Sequence, residues 1–293
     1  MTWASMNISD ALTSPRPILD LVLPGLPIAT VGNLVAPGAT GKTQFLLQLA
    51  VCRCLGLPSF GGLFPEAAPE EVLFLAAEEQ EVILRQRLHD IVHWIIGDEL
   101  FPAKTRASVI NELQHRLKLF PLSGKDVRLI DDGYDTKVMK EISRLGEGCR
   151  LIIADPLRRL HDGDENDSGA MTQLVQSLER IATHTNAAVL VAHHTSKAAA
   201  FNGQSESQQA ARGSSALTDG VRWQANLSTM TPKFAEAQNI PIDDARFYVT
   251  FAISKTNYGA PQAPVWLRRL PGGVLTKTQL PKSSSSRKGV QYD

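Results

Sequence analysis

Residues 36–43 read Ala36-Pro37-Gly38-Ala39-Thr40-Gly41-Lys42-Thr43. An apolar stretch, Ala29 to Val35, runs into them, and a helix-like segment, Gln44 to Ala50, runs out. Strand, glycine-containing loop and helix is the context that a Walker A phosphate loop needs. Backbone N–H groups at a helix N-terminus point at phosphate oxygens, and glycine lets the backbone come close. On this reading Pro37, Gly38, Ala39, Thr40 and Gly41 cradle the phosphates. Lys42 reaches the β- and γ-phosphates, and the Thr43 hydroxyl ligates Mg2+. The motif's usual first glycine is Ala36 here, where a small residue at the start of the loop is expected to suffice. The bland alternative is a Gly41-Lys42-Thr43 turn before an ordinary helix, and the flanking strand and helix argue against it. The stretch predicts a nucleoside triphosphate site.

Outward from this loop, strand-like and helix-like segments alternate from residue 29 to about residue 194. Glu71–Ala77, Arg150–Asp155 and Ala187–Ala192 read as buried strands, and Leu117–Phe120 as a short one. Helical patterns cover Val82–Ile96, Lys104–His115, Tyr134–Leu145 and Ser168–Thr185. Near-continuous apolar strands separated by helices predict an α/β fold, a mainly parallel sheet covered on both faces. Beyond it, Val221–Leu227, Arg246–Lys255, Val265–Arg269 and Gly273–Leu275 read as neighbouring antiparallel strands. Residues 281–293 are polar and basic and are expected to be a disordered tail.

In open α/β sheets the chemistry sits beyond the carboxyl ends of the strands. Asp155 closes its apolar strand as a Walker B carboxylate would, supporting Mg2+ from behind its waters; the alternative is a turn cap before Pro156. Glu78-Glu79 follow the strand that ends at Ala77, placed to orient and deprotonate an attacking water. Glu78, nearer the strand end, is the preferred base. His193-His194 close another strand. Adjacent side chains on an extended segment point to opposite faces, which argues against a shared metal. One of them, carried forward as His194, is expected to sense the γ-phosphate. Two loops remain, 156–168 with Arg158 and 195–211 with Lys197, both candidate strand-contacting loops.

Composition bounds these readings. The chain has 293 residues, 43% hydrophobic and 20% charged, with a formal net charge of zero. Any nucleic-acid binding must therefore come from local patches. The three cysteines have neither metal-ligand spacing nor a disulfide framework, so buried thiols in a reducing cytoplasm are expected. The N-terminus lacks the pattern of a signal peptide, and no apolar stretch is long enough to span a membrane.

With these residues in place, the chain resembles the RecA-like motor ATPases, and within them the RepA-type hexameric replicative helicases of IncQ-like plasmids. The shared segments are the phosphate loop, Ala77-Glu78, Asp155-Pro156-Leu157-Arg158-Arg159 and His193-His194. They continue through Arg212-Gly213-Ser214-Ser215, Val221-Arg222-Trp223-Gln224 and Ser254-Lys255-Thr256-Asn257-Tyr258-Gly259-Ala260-Pro261, and these last three are not generic ATPase motifs. The resemblance implies a single RecA-like domain over residues 1–280 that uses ATP and Mg2+. It implies a homohexameric ring moving 5′→3′ on single-stranded DNA and unwinding duplex at a plasmid origin, with a replication initiator and primase as possible partners. It also implies an arginine supplied in trans, with Arg222 the first candidate and Arg212 and Arg269 weaker ones. Arg87 and Tyr258 match positions that sandwich the adenine, and Arg269 is a nucleotide-site residue on the same grounds. A recombination mediator that coats DNA as a filament and a regulatory nucleotide-binding module are the competing classes.

Overall fold

Strands buried along their whole length need cover on both faces, and the middle of this fold supplies it. The structure, a computed structural model, describes residues 3–97, 104–131, 133–195, 208 and 215–281. A short helix α1 (Ile8–Thr13) and the hairpin β1 (Leu21–Leu23) and β2 (Leu26–Pro27) precede β3 (Val31–Ala36) and α2 (Lys42–Leu55). Then come β4 (Val72–Ala76), α3 (Glu81–Gly97), α4 (Arg106–Arg116) and β5 (Leu117–Pro121). The small pair β6 (Ile130–Asp131) and β7 (Tyr134–Asp135) leads to α5 (Lys137–Gly146), β8 (Leu151–Asp155), α6 (Ser168–Thr185) and β9 (Ala188–His194). The chain continues through α7 (Ser215–Gly220), β10 (Trp223–Thr229), α8 (Pro232–Ala237), α9 (Ile242–Ala245), β11 (Tyr248–Thr256), β12 (Val265–Arg269) and β13 (Leu275–Lys277).

Among the described residues the main sheet has the order β13-β12-β11-β10-β3-β9-β8-β4-β5. Pairing is parallel from β10 through β5 and antiparallel from β10 through β13. The α/β class, the mainly parallel sheet and the added antiparallel strands are all present. Strand β10 does not fit the expectation of an antiparallel neighbour on both sides. It runs parallel to β3, Trp223 opposite Gly32, and antiparallel to β11. Residues 134–145 also differ from the sequence reading, because Gly133 takes φ +80° and Tyr134–Asp135 pair with β6, delaying the helix to Lys137. Likewise β13 begins only at Leu275, since Pro271–Gly273 form a 3-10 turn.

Side chains alternate across each strand, so one strand feeds two cores. Leu151 and Ile153 of β8 join the core under α2, while Ile152 and Ala154 join the one under α5 and α6. Helix α2 is buried at every position except Thr43, as a helix clad on all sides must be. Phe45 stacks on Phe60 at 4.2 Å and on Phe251 at 5.6 Å, tying α2 to both the early loop and the antiparallel strands. Gln48 clamps the far strand with two bonds, donating to the Leu275 carbonyl at 2.8 Å and accepting from its N–H at 2.9 Å. Arg53 and Glu70 form a buried ion pair at 2.7 Å, where loss of either partner would cost about 3–5 kcal/mol. Cys52, Cys54 and Cys149 are buried and unbridged, and burial pushes the first two thiols up to about 12. The tail from 282 onward, Lys197 and Arg212 lie outside the described residues.

Candidate nucleotide site

The phosphate loop leaves the exit end of β3. Ala36 is the last residue of that strand, fully buried and paired with His194, so the place of the motif's first glycine is ordinary extended backbone. The sharp turning happens later, at Ala39 (φ +60°) and Gly41 (φ +97°). Gly41 is the N-cap of α2 and provides no side-chain cap, which leaves the first N–H groups of the helix to an anion. Nothing among the described residues lies within 4 Å of where a Gly38 Cβ would be, so the backbone there is open to a ligand. The Thr40 hydroxyl is buried and has no hydrogen-bond partner among the described residues, an orphan that a phosphate oxygen would satisfy.

Lys42 donates to the Ala36 carbonyl at 3.2 Å and lies 3.3 Å from His194 Nδ1. Burial pulls its ammonium below the ordinary lysine value, while Asp155 and Glu78 act to hold it charged. Asp155, 6% exposed, ends β8. Burial lifts its carboxyl above the usual range, and the hydrogen bond from Thr43 together with the charge of Lys42 opposes that shift. A hydroxyl and a carboxylate are hard oxygen donors, the set Mg2+ takes when it keeps several of its waters.

Around these groups runs a cleft of about 430 Å3 lined by Gly38, Lys42, Thr43, Glu78, Asp155 and His194, with Glu79, Arg87, Gln44, Arg269, Gly272 and Gly273. An open groove of about 880 Å3 between α5 and α6 is larger, but its walls are side chains such as Met139 and Arg180, with no phosphate loop. Size alone does not mark the site.

A model of the AAA domain family (AAA_25) matches residues 4–200, two thirds of the chain and all of the phosphate loop. The chain belongs to this AAA domain family. The AAA domain's fold is also shared with solved structures at 15% identity. A DnaB-like replicative helicase, described with its interactions with primase, superposes with a TM-score of 0.64 over 94% of this chain and 68% of that one. The RadB recombinase gives 0.53 over 87% and 93%, and another protein's isolated ATPase domain 0.58 over 86% and 85%. The AAA domain is thus a RecA-like P-loop fold.

Several site expectations of this AAA domain meet in one place and others do not. Arg269 lies in the chain's own cleft, its guanidinium donating to the Thr40 carbonyl at 2.6 Å. That position suits the nucleotide site and not a trans-acting arginine. Arg87 also lines the cleft, held by Glu79 at 2.7 Å. Tyr258 does not join it. It sits after β11, next to Asn257, whose N–H donates to the Arg222 carbonyl. Arg222 itself donates its backbone N–H to Val31, at the entry end of β3. Val31 to Ala36 at about 3.3 Å per residue is roughly 16 Å, so Arg222 and Tyr258 stand at the opposite edge of the sheet from the phosphate loop. Within one chain, then, Arg87 and Tyr258 cannot sandwich a base.

The sequence reading did not foresee the cleft's outer wall. Gln44 donates to the Gly272 carbonyl at 3.3 Å, and Gly273 lies against its side chain. The doubled glycine, both at positive φ, was the available signal for a tight turn, though not for its target.

Proposed function

We propose that the chain hydrolyses ATP with Mg2+ and couples hydrolysis to 5′→3′ movement along single-stranded DNA, as a homohexameric ring that opens duplex for plasmid replication. A replication initiator and a primase are its proposed partners and the cytoplasm its proposed location. The observation that carries the chemistry is the convergence of Lys42, Thr43, Asp155, Glu78 and His194 on one cleft, from the exit ends of β3, β8, β4 and β9. Lys42 and the N-terminus of α2 hold the phosphates, and Thr43 with Asp155 would hold Mg2+, which bridges and neutralises phosphate oxygens when bound. Glu78 takes the proton of the attacking water. His194, beside Lys42, contacts the terminal phosphate.

The far-edge position of Arg222 supports a trans role, because a residue that cannot reach its own cleft is free to reach a neighbour's. An arginine finger is worth about 10³–10⁵ in rate. Arg222→Ala is therefore expected to bind ATP and hardly turn it over, with activity partly restored on mixing with Glu78→Gln chains. The deciding experiment is strand displacement on a forked duplex with ATP, run beside a mass measurement of the oligomer and with Lys42→Ala as the inactive control. A closed ring that displaces strand supports the reading. An open filament that binds DNA without unwinding supports the recombination mediator, and DNA-independent turnover by a monomer supports the regulatory module.

A further inference from the structure

The carboxylate assigned as general base is not free in this structure. Glu78 Oε1 accepts a hydrogen bond from Arg159 Nε at 3.0 Å. Arg159 belongs to the 3-10 turn Leu157–Leu160, which follows β8 directly after Pro156. The two residues are 81 positions apart, and the pair ties the end of β4 to the loop beyond the Walker B strand.

The neighbouring arginine is used differently. Arg158 folds back to donate to the carbonyls of His161 at 3.0 Å and Gly163 at 3.5 Å, so it staples the loop to itself. The second glutamate is also used differently. Glu79 binds Arg87 of α3 at 2.7 Å, with both side chains about a quarter exposed. In the Arg159–Glu78 pair the side chains are 58% and 45% exposed. Of the two glutamate–arginine pairs at the cleft it is the wetter, and it is the one that runs to the loop.

We propose that Arg159 is a positioning residue that draws Glu78 away from the attacking water until a phosphate of a bound single strand takes its guanidinium, so that DNA stimulates hydrolysis by releasing this contact. The proposal rests on the reading of Glu78 as base and single-stranded DNA as partner. A carboxylate oxygen already accepting from a guanidinium is turned toward the loop and has a lone pair engaged. A phosphodiester competes well for that guanidinium, because it offers two oxygens in the geometry arginine prefers and releases counterions as it binds. The contact is also weak enough to exchange. An exposed ion pair biases its equilibrium by about fivefold at most, which a DNA backbone can overturn. Such a pair is screened by salt as well.

The test compares ATP turnover by wild type and by Arg159→Ala, without DNA and with a poly(dT) oligonucleotide. Arg159→Ala is expected to raise DNA-free turnover by about two- to fivefold and to shrink stimulation by the same factor. Arg159→Lys, which keeps a charge but loses the planar fork, is expected to fall between the two. A salt series supplies a measurement that needs no variant: DNA-free turnover of wild type should rise with added KCl while that of Arg159→Ala stays flat. A structural role alone would move neither the stimulation ratio nor this salt dependence. Unchanged or lower DNA-free turnover in Arg159→Ala, with stimulation intact, overturns the proposal, and so does a wild-type rate that does not rise with salt. Failure of the underlying reading looks different. In that case Glu78→Gln retains its turnover, or poly(dT) fails to stimulate wild type at all.

Discussion

Two strands of the sheet end in doubled side chains, Glu78-Glu79 after β4 and His193-His194 on β9, and the fold treats the two pairs differently. Strand β9 runs through His194, so alternation is enforced to its last residue. Ala188, Leu190 and Ala192 face the core under α2, and His194 continues that series to Lys42. Val189 and Val191 face the other core, and His193 continues theirs, 1% exposed. Strand β4 ends at Ala76, so its glutamates lie past the ladder and alternation no longer applies. Both therefore reach the same cleft, told apart by their arginines. A residue pair inside a strand is divided by the sheet, and a pair beyond it is divided by its neighbours.

The largest expected effect falls on the glutamates. Glu78→Gln should still bind ATP but slow hydrolysis by about 10²-fold or more, as loss of a general base does. Glu79→Gln should cost under about tenfold, since it loses an ion pair and not the base. Single-turnover rates measured on both variants decide this, and the reverse ranking would move the base one residue along the chain.

The histidines should separate by kind of effect. His194→Ala is expected to lose roughly tenfold or more in turnover, the scale of one hydrogen bond to a charged group, with little change in thermal stability. His193→Ala should do the opposite, costing about 1–3 kcal/mol of stability for a disturbed buried polar group while turnover per folded molecule changes little. Denaturant melts beside steady-state rates read both quantities. Equal stability losses would mean that the sheet does not divide the pair.

The smallest effect concerns His161, 6% exposed, with neither ring nitrogen hydrogen-bonded among the described residues. Burial depresses its pKa below 6.5, Arg158 and His193 push the same way, and Glu165 and Asp162 oppose them. Above the unfolded value the imidazole is neutral in both states and has no effect on the balance. As pH falls below it, the unfolded chain takes the proton first, and stability is lost until the folded pKa is reached. His161→Gln should therefore melt with less pH dependence between pH 7.5 and 5, by about 1 kcal/mol or less. Parallel melting curves for the two proteins would sink this.

Much of this arrangement was legible because it is local. The phosphate loop, the apolar strands and the carboxylate at Asp155 each carry their signal within a few residues, through period, glycine and charge. The direction of β10 was not legible, since a strand's direction depends on which neighbour it joins and Trp223–Thr229 reads the same beside β3 as beside β11. The partners of Gln44, Arg269 and Glu78 lie 228, 229 and 81 positions away. Such contacts leave no local pattern, because only the folded sheet brings those positions together. The resemblance named Arg87 and Tyr258 together but not how far apart one chain holds them.

The position of β10 has a consequence for dissection of the molecule. The family match stops at residue 200, yet β10 lies beyond it and hydrogen-bonds along Gly32–Val35, the strand that delivers the phosphate loop. A fragment cut at 200 would bare the backbone of β3 as a long apolar edge, the kind that recruits other chains. It would also lose Gln48's anchor at Leu275 and the Gly272 wall. The boundary of sequence kinship is thus no boundary of folding, and the portion that looks dispensable by descent holds the family-matched portion in shape.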